Sequence, residues 1–208
     1  MDAGQDYLLI VEDDPDILKL LDATLTFRGY RVITAKNGKD ALEAIQLKRP
    51  AIVITDIMMP TLDGFGLVHR IRINPETREI PVVFITATYV TREDREFALN
   101  IGATRFIQKP VDLEKFLATI AELIDQELPD IKSFNESDFY KEYRKRLQGK
   151  LDEKNKQIAR EERLLRTAAD KDDQSLQVSL RRATYERNEL KLLLDQIHEQ
   201  LEKYAGSE

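Results

Sequence analysis

The chain has 208 residues, enough for one ordinary domain plus an extension, or for two small domains. It contains no cysteine, which excludes a disulfide framework and any thiolate metal site and suits a reducing compartment. Its formal net charge is −6, all of it within residues 1–128, so neither half carries the basic footprint of a nucleic-acid binder and no direct nucleic-acid contact is expected. No apolar run approaches the ~20 residues that cross a bilayer. No basic segment followed by an apolar one opens the chain, so no signal peptide is expected. A soluble, cytoplasmic protein that makes no membrane contact is the expectation.

Apolar runs alternate with helical patterns through residue 128. "YLLIV" (7–11) reads as a buried strand, and "PDILKLLDATLTFRG" follows as a helix, with Pro15 in its first turn and Gly29 past its end. "RVITA" (31–35) is the second strand, and "NGKDALEAIQLKRP" carries the second helix. "AIVIT" (51–55) and "GFGLVHRIR" (64–72) form the third pair. "VVFITA" (82–87) and "REDREFALNI" (92–101) form the fourth, in which Glu93 and Asp94 belong to a polar helix face. "RFIQ" (105–108) and "DLEKFLATIAELIDQEL" (112–128) form the fifth. Strands apolar along their length indicate a sheet covered on both faces, and crossover helices make it parallel with right-handed connections. In such an open α/β sheet, function gathers at the carboxyl ends of the strands.

Those ends are chemically rich. Strand one ends in Glu12, Asp13 and Asp14, and strand three in Asp56. Strand four ends near Thr86, and strand five at Lys109, before Pro110. Carboxylates held together repel one another unless a cation joins them, and oxygen ligands suit magnesium. A lysine and a hydroxyl facing such an ion would complete a cradle for a phosphoryl group, with the central aspartate as the nucleophile that forms an acyl phosphate. Taken singly, each of these residues has a plainer reading. Three acids before a helix also cap it, Lys109 could be a solvated surface residue, and Phe106 could be ordinary core.

Four segments at four successive strand ends, "VEDDPD", "TDIMMPTLDGF", "ITAT" and "QKPVD", carry a resemblance. Residues 1–128 resemble the receiver domain of response regulators. The resemblance implies a five-stranded, doubly wound, flavodoxin-like α/β fold that accepts phosphate from a sensor histidine kinase. It implies that Asp56 is the phosphoacceptor. Asp13 would ligate Mg2+ directly, Glu12 through water, and the backbone carbonyl of Met58 would be a third protein ligand. Lys109 would pair with Asp56 and then with the phosphoryl oxygens, Thr86 would report the phosphate, and Phe106 would be the switch aromatic. The Lys109–Pro110 bond resembles one that is often cis in the family. Spacing alone leaves open which of Glu12, Asp13 and Asp14 touches the ion; Asp13 is favoured because it falls second after "LLIV".

Beyond Pro129 the composition changes. Proline is absent, glycine falls to Gly149 and Gly206, and charge becomes dense, which is the composition of long helix. A linker over 129–137 is expected to lead into a helical coiled coil over 138–205, with Asn135 or Ser137 as cap. One heptad frame runs through Leu147, Leu151, Ile158, Leu165 and Ala168, interrupted by Lys154 and Glu161. A second runs through Leu176, Leu180, Ala183, Leu190, Leu194, Ile197, Leu201 and Tyr204, with Arg187 out of place. The frames slip by one residue within 168–175. Either one helix continues through a skip, or the chain turns there with Asp172 or Asp173 capping a second helix. The continuous helix is preferred because no Gly or Pro marks a turn. Its stripe would be buried by a second copy of the chain, giving a homodimer whose coiled coil follows the state of the receiver. His198 and His69 read as ordinary helix histidines. The alternatives are a receiver and signalling-helix fragment of a larger hybrid kinase, and a magnesium-dependent phosphatase with an aspartyl nucleophile. The latter would want an acid where Met58 stands. No turnover of an external substrate is expected.

Overall fold

A computed structural model describes residues 7–87, 91–125, 136–167 and 174–205. The chain divides into two compact units, Met1–Ser133 and Phe134–Glu208. The first is built from β1 (Leu8–Val11), α1 (Pro15–Phe27), β2 (Val32–Ala35), α2 (Gly38–Leu47), β3 (Ile52–Thr55), α3 (Gly64–Ile73), β4 (Val82–Thr86), α4 (Arg92–Asn100), β5 (Arg105–Gln108) and α5 (Leu113–Asp125). The five expected strand–helix pairs are all present. The strands form one parallel sheet in the order β2-β1-β3-β4-β5. This is the flavodoxin-like doubly wound arrangement.

The central strands explain the apolar runs. Every residue of β1, β3 and β4 is buried, whereas the edge strands β2 and β5 are only partly so. One layer of the core joins Leu8, Ile10, Ile52, Ile54 and Val83 of the sheet to Leu21, Leu25, Phe116 and Ile120 of the helices. Because side chains alternate across a strand, Leu9, Val11 and Phe84 fill the opposite layer, where Phe65 of α3 meets Phe84 edge to face at 5.4 Å. Helix starts follow the capping signals. Asp14 accepts from the amides of Asp16 and Ile17, Asn37 from Lys39 and Asp40, and Asp63 from Gly66. At the opposite end of the sheet, buried Arg72 donates to the carbonyls of Gly102, Arg78 and Ile80. Burial also lowers its pKa to about 10.

The second unit is two 32-residue helices, α6 (Glu136–Thr167) and α7 (Gln174–Ala205), packed against each other. They run antiparallel. Lys154 pairs with Glu186 at 2.6 Å, and seven residues further along α6, Glu161 accepts from Ser179, seven residues back along α7. The preferred continuous helix is therefore corrected: the chain reverses between residues 167 and 174. The physical reason is the frame slip. One straight helix would carry the two apolar seams out of line, whereas a reversal lets each cover the other. Leu147, Leu151 and Ile158 are buried on α6, and Ala183, Leu190, Leu194 and Ile197 on α7. The expected caps Asn135, Asp172 and Asp173, the seam residue Ala168 and most of the expected 129–137 linker lie outside the described residues. Nor is the side chain of Tyr204 described.

Candidate functional site

The strand order places the carboxyl ends of β1 and β3 side by side, since Val11 is registered with Thr55. The next residues are Glu12 and Asp56, and the amide of Asp56 donates to the carbonyl of Val11 at 2.9 Å. The strand that delivers Asp56 cannot bend away, because β3 is paired on both sides. Glu12 is 1 % exposed and Asp56 9 %. One Asp56 oxygen accepts from the amide of Ile57 at 2.6 Å. The other receives the Lys109 ammonium at 2.7 Å, and the same ammonium reaches Glu12 at 2.8 Å.

Lys109 comes from the end of β5, two strands away. Its amide donates to the carbonyl of Thr86 at 2.9 Å, which ties the ends of β4 and β5 together, and the Lys109–Pro110 bond is cis. The loop after Asp56 returns tightly. Gly38 and Gly64 donate to the carbonyls of Leu62 and Ile57, and a Cβ on Gly64 would collide with the carbonyl of Asp56. Only glycine fits there.

Asp13 completes the group. One carboxylate oxygen from each of Glu12, Asp13 and Asp56 lies within 4.8 Å of the others. Burial first, and then the charge of Asp56, push Glu12 up to about 7, against the pull of Lys109 and the Asp14 amide. Asp13 keeps part of its surface in solvent at the rim; burial of the rest, and then Asp56, raise its carboxyl too. Burial alone would lower Lys109, but Asp56 and Glu12 outweigh it and raise its pKa. Three carboxylates against one ammonium leave two negative charges uncompensated when all are ionised. The donors are all hard oxygens, so the set fits a magnesium-sized divalent cation.

The structure thus brings together Glu12, Asp13, Asp56 and Lys109, and separates the three leading acids by role. Asp14 is the cap of α1, while Glu12 and Asp13 turn to the cluster. Thr86 is fully buried as the last residue of β4, and Met58 is half-buried in the loop after Asp56. Phe106 is not part of the cluster. It lies two residues before the end of β5, opposite Phe84 at 6.5 Å, with the Arg95 guanidinium 5.5 Å from its ring. Sequence reading missed both Arg95 and the Glu12–Lys109 contact. The only signal for Arg95 was its turn-by-turn position on a polar helix, and for Glu12 it was the strand order.

Residues 8–121, more than half of the chain, match the response regulator receiver domain, and the chain belongs to that two-component signalling family. It is 39 % identical over 105 residues to an uncharacterized 14.6 kDa protein of Leptolyngbya boryana, covering 50 % of this chain and 79 % of that one. It is 34 % identical over 124 residues to the probable transcriptional regulator ycf27 of Cyanophora paradoxa, covering 60 % of this chain and 50 % of that one. It is 40 % identical over 116 residues to the response regulator PleD of Caulobacter vibrioides, covering 56 % of this chain but 25 % of that one. The chain therefore spans only a quarter to a half of these two longer regulators. Among solved structures, the chemotaxis response regulator CheY4 of Vibrio cholerae superposes with a TM-score of 0.54 at 29 % identity, covering 58 % of this chain and 99 % of that one. A CheY-like receiver domain protein of Methanospirillum hungatei gives 0.54 at 30 %, covering 59 % and 95 %. No described helix is long and apolar enough to cross a membrane.

Proposed function

We propose that Asp56 accepts a phosphoryl group from a sensor histidine kinase and that the chain answers with a change in its contacts. The observation that carries this reading is the Lys109 ammonium, 2.7 Å from Asp56 and 2.8 Å from Glu12, beside three converging carboxylates. An Asp56 oxygen attacks the phosphorus of phosphohistidine. The new O–P bond forms as the N–P bond breaks, and the bonding pair returns to the imidazole nitrogen. Phosphoryl transfer needs mainly position and neutralised charge. Asp56 is held in place by the Ile57 amide, and Lys109 turns from the carboxylate to the arriving oxygens. Glu12, Asp13, Asp56 and the Met58 carbonyl are the residues that would hold Mg2+, which would supply further neutralisation of the phosphoryl charge.

The Thr86 hydroxyl then reports the group, and Phe106 moves with it, giving up the contact with Arg95. The two states differ in what the phosphoryl oxygens touch, and that difference shifts the equilibrium. The helical extension carries the output as an association surface between copies of the chain. Incubation with acetyl phosphate and Mg2+ tests the site: the parent chain is expected to be labelled and Asp56→Asn not. Equal labelling of the two would overturn the assignment.

A further inference from the structure

Antiparallel packing leaves one face of α7 uncovered. Ala183, Leu190 and Ile197 point to α6, and on the opposite side of the helix stand Val178, Tyr185 and Leu192, which are 65 %, 54 % and 57 % exposed. Their spacing is one heptad, so they form a straight ridge that drifts by only about 20° per repeat. Apolar side chains on a helix in water are ordinarily scattered; three at heptad spacing define a docking face.

The charges beside the ridge say what covers it. Before Tyr185 they are Arg181 and Arg182; after it the charge is Glu189. Arg181 and Glu189 make no ion pair or hydrogen bond among the described residues, and Arg182 bonds only Glu186, keeping most of its surface in solvent. Lys191 and Asp195 both line a separate groove with Lys141 and Leu151, where their charges offset. The face is therefore basic at one end, apolar through the middle and acidic at the other. A partner of one sign would be repelled at one end, and an anionic lipid surface would meet Glu189. A face of this pattern complements its own copy turned end for end. With Tyr185 on the two-fold, Val178 meets Leu192 of the second copy and Arg182 meets Glu189. A parallel pairing would instead set arginine against arginine. The segment from 129 to 208 has 17 basic and 17 acidic residues, so it does not repel itself as a whole.

We infer that α7 is a homotypic interface, on which a second copy of this chain docks antiparallel through Val178, Tyr185 and Leu192 to make a four-helix bundle. This rests on the reading of the extension as an association surface, and gives it a face and a direction. The ridge is short, so the dimer is expected to be reversible with concentration.

The absence of cysteine makes direction measurable in the full-length chain. Val178→Cys and Leu192→Cys chains, mixed under oxidised glutathione, are expected to yield the mixed disulfide dimer several-fold over either homodimer. Tyr185→Glu is expected to weaken self-association at least tenfold in sedimentation, with unchanged helix content by circular dichroism. All three positions are exposed, so these variants fold. A chain that stays monomeric at every concentration overturns both this inference and the association reading. A dimer that ignores Tyr185→Glu, or that cross-links Val178→Cys to itself in preference, overturns the antiparallel α7 face alone.

Discussion

Glu12 is the residue on which the electrostatics of the site turn. It is buried beside Asp56, and its carboxyl is pushed up to about 7 from an ordinary 4.5. The folded state then holds a proton that the unfolded chain has released, so ionisation opposes folding. The stabilisation is complete below the unfolded value near 4.5 and is lost as pH rises through about 7. In chelator-treated protein the receiver is expected to lose on the order of 3 kcal/mol across that window. Glu12→Gln should flatten the slope, as read from urea midpoints at several pH values; a slope unchanged by that substitution would assign it to another group. At this scale the sequence was only partly readable. "EDD" advertised both capping and a carboxylate cluster, and the two fall on different residues: Asp14 caps α1, while Glu12 and Asp13 converge on Asp56. Which acid did which depended on the turn of α1 and on the reach of Lys109 from β5, and neither is visible in the order of residues. Arg72 was equally hidden. On a helical wheel it is an ordinary surface cation, yet it is buried by the carbonyls it satisfies.

Elements were legible where their signals were local. The five strands and five helices followed from apolar runs and helical patterns, with the acids before α1, Pro15 in its first turn and Gly29 past its end. The hairpin was not, because its turn contains neither Gly nor Pro and its evidence was a one-residue phase slip. The residues that broke the α6 heptads, Lys154 and Glu161, are those that meet Glu186 and Ser179 across the pair. They fix the register that the leucines alone would leave free to slide by a turn. Glu161 bears a cost for this, since it is nine-tenths buried and one oxygen finds no hydrogen-bond partner among the described residues. Replacing a buried charge by a well-packed apolar side chain is often stabilising by about 1–4 kcal/mol. Glu161→Leu is therefore expected to raise the urea midpoint of the helical transition in far-ultraviolet circular dichroism. A lower midpoint would mean that the bonds from Gln157 and Ser179 outweigh the burial.

For the molecule as a whole, the receiver carries the excess negative charge and the site where that charge is densest. A cation that binds only the folded state stabilises it by mass action. Mg2+ at a hundred times its dissociation constant is expected to add about 2.7 kcal/mol to the receiver transition. EDTA should reverse the effect, and Asp13→Asn should remove most of it in thermal scans of the full chain. A receiver melting point indifferent to Mg2+ would remove the metal from the proposal.

The reversal between α6 and α7 also sets a reach. A single helix through both segments would be a rod roughly twice the ~48 Å that 32 residues span. Folded back, the two helices form a hairpin of one helix length that brings Lys203 level with Ser137. Helix axes in contact are about 8–10 Å apart, so a fluorophore pair on those two residues would sit well within energy-transfer range. A label on Lys203 would therefore lie beside the first turn of α6, one helix length from the last turn of α6.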